Sequence, residues 1–188
     1  MESNRYTSVA VILHWVIAAA IIYQLWLGLS MPHGDEVTTR AEFEMIQLHK
    51  SVGVTILLLS LARLGWRLMH RPPALPAAMA GWEKLAARAT HWAFYGLMIG
   101  APLTGWAMVS ASPLGVDTVL FGVVPWPHLP GFEGLEDKAA VAEALAEIHE
   151  YLAFSMIGLL ALHVAAALKH QFVNRDGVLG RMIPFLSR

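Results

Sequence analysis

Among the stretches of this chain that carry no Asp, Glu, Lys or Arg are residues 6–34, 51–62, 89–116 and 151–168. A hydrocarbon core about 30 Å thick is spanned by about 20 helical residues, within a range of about 17–25. The first, third and fourth stretches satisfy this outright. The second reaches the required length over residues 47–66 once Lys50 and Arg63 extend their stems toward opposite surfaces. The pattern predicts an all-α fold, an integral membrane four-helix bundle forming one domain over residues 1–188. Its helices are expected at about 9–31, 44–68, 85–110 and 139–172. The first stretch is a poor match for a removable leader, because no small-residue cleavage site follows Leu29-Ser30-Met31-Pro32 and the apolar run exceeds a leader's usual core.

The segments between the helices read as connections. Arg71-Pro72-Pro73-Ala74-Leu75-Pro76 cannot continue the second helix, and Pro102 should bend the third. Residues 115–134, with Pro125, Pro127 and Pro130, read as a loop. Residues 135–150 regain helical character and should lead straight into the fourth helix, whose outer end then projects from the bilayer. Composition agrees: the chain is 56% hydrophobic and 14% charged, with a mean hydropathy of +0.53, against about 45–50% and about 25% in soluble domains. No nucleic-acid partner is expected. Cysteine is absent, which excludes disulfides, thiolate metal sites and a Cys-x-x-Cys-His haem attachment, so any haem must be held by histidine or methionine.

Charge sets the orientation. Of the thirteen basic residues, Arg5, Arg63, Arg67, Arg71, Lys84, Arg88, Lys169, Arg175, Arg181 and Arg188 fall on the side of the N-terminus, and only Arg40, Lys50 and Lys138 fall opposite. The positive-inside rule therefore predicts cytoplasmic termini and a multi-pass protein of the bacterial inner membrane. Eleven of the fourteen acids lie on the other, outer side.

Six histidines lie in or at the ends of the helices. His149 and His163 are fourteen positions apart, which on an α-helix is about 21 Å of rise with a return to nearly the same face. Ionisable groups in hydrocarbon are costly and mark function by default. Depth then selects partners. His14 lies about 8 Å and His163 about 13 Å from the cytoplasmic surface at 1.5 Å per residue, so the two can share an inner haem. His49 and His149 both lie at outer helix ends and can share an outer one. Bis-histidine coordination leaves no open position for dioxygen, so such haems carry electrons. Gly53, one turn after His49, leaves room for a macrocycle. Arg63 lies about 21 Å inward of His49 on nearly the same face, and with Arg67 is placed to bind the inner haem's propionates. His91 and His170 are candidates for a polar pocket where a quinone head group is hydrogen-bonded and protonated. His33, His70 and His128 read as solvated loop residues.

Taken together, Leu13-His14-Trp15, Leu48-His49-Lys50-Ser51-Val52-Gly53, Arg63-Leu64-x-x-Arg67, Thr90-His91-Trp92, Ile148-His149-Glu150, Leu162-His163-Val164 and Lys169-His170 resemble the bacterial cytochrome b561 family. That family is grouped with the di-haem b subunits of nickel-iron hydrogenases and formate dehydrogenases. The resemblance spans essentially the whole chain. It implies two non-covalent b haems, with His14 and His163 as one axial pair and His49 and His149 as the other. It also implies, from the superoxide oxidase type, electron transfer from superoxide at the periplasmic face to ubiquinone.

Superoxide is an anion, and a steered encounter wants positive potential at the outer haem. The outer loops are acidic, leaving Lys50 and Lys138 as the residues able to form a basic mouth. Three functions follow: a superoxide:quinone oxidoreductase, an electron-transfer subunit served by a periplasmic protein donor, and a histidine-lined metal transporter. The last lacks the intramembrane carboxylates expected along a divalent cation's path.

Overall fold

The computed structural model describes residues 5–31 and 39–183. His33 and the acidic Asp35 and Glu36 of the first outer loop lie outside the described residues. Four helices long and apolar enough to cross a membrane are present among the described residues: α1 (Ser8–Ser30), α2 (Arg40–Met69), α3 (Gly81–Ala111) and α4 (Lys138–Lys169). Their starts follow from capping. Thr7 Oγ1 accepts the Ala10 N–H at 3.3 Å, and the Asp137 carboxylate accepts the Ala140 N–H at 3.0 Å. α2 begins at Arg40, ahead of the expected 44, because Thr39 and Glu42 form a reciprocal box. The Glu42 N–H donates to Thr39 Oγ1 at 3.2 Å, and the Thr39 N–H to Glu42 Oε2 at 2.8 Å. α3 likewise starts at Gly81, earlier than the expected 85. α4 passes into a π-helical turn, His170–Asn174, which ends at Arg175 in a left-handed conformation (φ 52°).

Close packing joins α1 to α2, α2 to α3 and α3 to α4. Ile17, Ile21, Leu27, Val52, Ile56, Tyr95, Met98 and Met156 form the buried cluster between them. Large apolar side chains such as Ile12, Trp26, Leu58, Trp92, Phe154 and Leu162 point outward, the inverse of a soluble fold and the surface that lipid covers. At the end that carries the start of α1, termed inner after the expected orientation, the chain after α4 folds back over the bundle. Trp15 Nε1 donates to the Met182 carbonyl at 2.9 Å, and Arg181 donates to the Ala74 carbonyl.

The outer Pro/Gly segment corrects the sequence reading. Within the expected loop, β1 (Thr118–Leu120) and β2 (Val124–Trp126) form an antiparallel hairpin, with Thr118 opposite Trp126 and Leu120 opposite Val124. Strands of three residues are too short to display an alternating period, and Pro125 argues against a strand unless it lies at an edge, where it does lie. Side chains of α2 hold the hairpin down. Gln47 Nε2 donates to the Asp117 carbonyl at 2.8 Å, and Gln47 Oε1 accepts the Val119 N–H at 3.2 Å. The fully buried Ser51 accepts the Phe121 N–H at 2.9 Å while donating to the Gln47 carbonyl at 2.7 Å. Phe121 itself has φ 51°, an uncommon backbone for a bulky residue that needs such support.

Replacing Ser51 with Ala removes the acceptor for the Phe121 N–H. The hairpin should lose about 1–2 kcal/mol of local stability, read as faster amide hydrogen exchange at residues 118–126 with the exchange of α2 and α3 unchanged.

Candidate functional site

At the outer end, α2 and α4 present His49 and His149 to one another with ring centroids 6.1 Å apart and planes crossed at 73°. Both are half-buried and line a cavity of about 390 Å³, whose wall is mostly apolar. Two glycines make room for the rings. A Cβ at Gly28 would lie 3.3 Å from His49 Cε1, and one at Gly105 would lie 3.1 Å from His149 Cε1 and 3.2 Å from its Nδ1. Gly53 also lines the cavity, and its missing Cβ admits the Gln24 amide, whose Nε2 would lie 3.3 Å away and donates to the His49 carbonyl at 3.0 Å.

The His149 ring is oriented by α3. Its Nδ1 lies 2.8 Å from the Ala101 carbonyl and 3.3 Å from Thr104 Oγ1. The same carbonyl accepts the Thr104 hydroxyl at 2.8 Å. This turn abuts Pro102, which supplies no N–H to the helix ladder. With Nδ1 donating to a carbonyl, Nε2 is the nitrogen left to bind a metal. His49 Nδ1, in contrast, is buried without a partner.

At the inner end, His14 of α1 and His163 of α4 have centroids 6.3 Å apart. His163 also meets His91 at 5.9 Å and Phe94 at 5.3 Å. The structure thus brings His91 to the inner pair. His170 is engaged elsewhere, with Nδ1 2.6 Å from Asp176 Oδ2 and Asn174 Nδ2 at 3.2 Å. Arg67 lies over the rings of Trp92 and Tyr95, at 5.6 and 5.7 Å, and Arg63 is close enough to Tyr95 to feel its phenol. Nearby, burial pushes the Tyr6 phenol up, opposed by Arg67, Arg181 and Arg63. Three guanidiniums therefore gather around one tyrosine, and none of them has a carboxylate partner among the described residues.

Two imidazole nitrogens bound to one metal at about 2 Å each, with about 1.1 Å more to each ring centre, put the centroids about 6 Å apart. Both histidine pairs fit that requirement, and His91 with His163, at 5.9 Å, fits it as well. Among the described residues there is no cluster of three or more His, Cys, Asp or Glu suited to a metal ion, so the donor sets are pairs. Such pairs suit a metal that brings its own equatorial ligands, as haem iron does.

The family model described as prokaryotic cytochrome b561 matches residues 5–185. The chain belongs to the prokaryotic cytochrome b561 family. It is similar to cytochrome b561 homolog 2 of Escherichia coli K12, at 31% identity over 96% of this chain and 92% of the relative. The probable superoxide oxidase CybB of Yersinia pestis is 28% identical, over 96% of this chain and 97% of its own. Cytochrome b562 of Cereibacter sphaeroides is 28% identical, over 97% of each. This cytochrome b561 is therefore a multi-pass membrane protein for transmembrane electron transfer, with haem b as the family's cofactor.

Lys50 lines the outer cavity. Lys138 stands apart from that lining, at the start of α4 and near Glu133. Sequence reasoning passed over Gln24, Gly28, Ala101, Thr104 and Gly105. Of these only the glycines carried a signal, as small residues inside apolar helices.

Gly105→Ala should drive a methyl group into the His149 ring. Haem content should fall in that variant and stay at the wild-type level in Gly96→Ala, where a Cβ meets nothing within 4 Å. Pyridine-haemochrome spectra of the two purified variants make the comparison.

Proposed function

We propose that this cytochrome holds two b haems, one between His14 and His163 and one between His49 and His149, and that it oxidises superoxide at the periplasmic face while reducing a membrane quinone of the ubiquinone class. The observation that carries the reading is the pair of imidazole couples, 6.3 and 6.1 Å between centroids, at opposite ends of one bundle. On α4 their members stand about 21 Å apart along the axis, a span that covers most of the hydrocarbon core. A haem between two imidazoles supplies one-electron transfer and no open coordination position.

The chain's own residues supply the rest. The Ala101 carbonyl fixes the His149 tautomer, Gly28 and Gly105 give room to the His49 and His149 rings, and Gly53, expected to face a macrocycle, instead admits the Gln24 amide at the cavity wall. Arg63 and Arg67, beside Tyr95 and Trp92, are the cations for the inner carboxylates. His91, beside His163, and His170, oriented by Asp176, are the groups to hydrogen-bond and protonate the quinone. In balance, two superoxide anions give up one electron each and leave as dioxygen. The two electrons with two protons from the cytoplasmic side convert quinone to quinol. The termini are assigned to the cytoplasm, and the protein to the inner membrane, from the ten basic residues on that side.

The superoxide assignment is supported by the similarity to the Yersinia pestis protein and by Lys50 in the wall of the outer cavity. A second reading, an electron carrier served by a periplasmic protein, is favoured by the acids Glu133, Glu136, Asp137 and Glu143 around the outer end of α4. A basic partner would dock there. Membership of a cytochrome family replaces the metal-transporter reading.

Proteoliposomes containing quinone and supplied with enzymatically generated superoxide separate the two. Superoxide should reduce the haems and yield quinol. Lys50→Glu should cut the second-order rate several-fold, with the deficit shrinking as salt screens the field over about 10 Å at 0.1 M. Wild-type haems that stay oxidised under superoxide at low salt would give the place to the protein-donor reading.

A further inference from the structure

The outer hairpin has no role in the function proposed so far, yet the chain invests several hydrogen bonds in seating it. Gln47 and Ser51 of α2 bind its backbone, as described above. From α3, Ser110 Oγ accepts the Leu129 N–H at 2.8 Å, and Trp106 Nε1 donates to the Pro127 carbonyl at 2.8 Å. The product of this seating is the position of Trp126, the last residue of β2. Its ring lies 5.4 Å from that of Trp106, and it lines the same cavity as His49 and His149.

The two indoles differ in one respect. The Trp106 N–H has its carbonyl acceptor, whereas the Trp126 N–H is buried with no partner among the described residues. An enclosed N–H normally has an acceptor, so one is owed to it by whatever fills the cavity. Lys50 lines the cavity as its one cation, and Glu150 as its one anion, among the described residues. The Gln24 amide donates one N–H to the His49 carbonyl and has its oxygen without a partner among the described residues. An enclosed donor and an ammonium in one wall are a combination that receives a carboxylate.

We propose that the hairpin is the outer wall of the cofactor site, and that Trp126 donates its indole N–H to a carboxylate of the porphyrin held by His49 and His149, with Lys50 as the accompanying cation. The proposal rests on the ligation reading above. It gives residues 118–126 a function: they deliver one donor to the rim of the outer site and close that rim against water.

The test is Trp126→Phe, which keeps an aromatic ring against Trp106 and removes the N–H. The outer haem is identified as the one lost in His149→Ala. Its release to excess apomyoglobin should speed up about tenfold on loss of a charge-assisted hydrogen bond, and its carboxylate bands in the resonance Raman spectrum should shift. The inner haem should change in neither respect. Reconstitution with haem dimethyl ester separates charge-assisted hydrogen bonding from packing, since the ester is a weaker acceptor and the difference in release between wild-type and Trp126→Phe proteins should shrink. Equal release of ordinary haem from the two proteins would overturn the proposal, and so would an equal acceleration of acid and ester forms. If the ligation reading were at fault instead, His149→Ala would retain its full haem content, a result that the Trp126 comparison does not produce.

Discussion

An imidazole inside a lipid bilayer is costly unless its ring nitrogens are satisfied, and the bundle meets that demand at His149 while leaving His49 Nδ1 without a partner among the described residues. Lipid can supply no partner, so a neighbouring helix or a bound group must. The Ala101 carbonyl, on the turn next to Pro102, takes the His149 Nδ1. On the far sides of the rings, histidines face histidines across gaps near 6 Å. Without a metal these gaps would place nitrogen lone pairs in apolar surroundings. With one, centroid separations of 6.3 and 6.1 Å accommodate two metal–nitrogen bonds of about 2 Å each.

The cost of holding that space open is visible in the packing. A cavity of about 390 Å³ within a bundle of this size forfeits dispersion contacts, and glycines at 28 and 105 deepen it so that the imidazoles can lie flat against α1 and α3. The buried side-chain cluster compensates along the middle of the molecule, where Ile17, Ile21, Val52, Ile56, Met98 and Met156 fill the volume between the two ends. Filling the outer space with a macrocycle would return the lost contacts, so cofactor binding and bundle stability are linked.

The four helices and their order were legible because charge-free runs of membrane length are a one-dimensional signal, and so was the sharing of one end of the bundle by His14 and His163 and of the other by His49 and His149. What lay beyond reach depended on which helix faces which. His91 was read with His170, since both sit near the inner surface; the fold turns His91 to His163, while Asp176 holds His170. Neither an Ala101 backbone carbonyl nor a Thr104 hydroxyl announces itself by composition. The hairpin escaped because its strands are three residues long and its pinning groups, Gln47 and Ser51, lie about seventy positions away in the sequence, a separation no local pattern can reveal. Lys50 and Lys138 looked equivalent as outer cations, and only the first lines the cavity.

The central claim is that two histidine pairs each hold one haem, and the most direct test is haem stoichiometry combined with low-temperature electron paramagnetic resonance of single-histidine variants. The account predicts two haems per chain with two low-spin bis-imidazole signals. His14→Ala or His163→Ala should abolish one signal, His49→Ala or His149→Ala the other, and His91→Ala neither. Loss of the inner signal in His91→Ala, with His14→Ala retaining both, would contradict it.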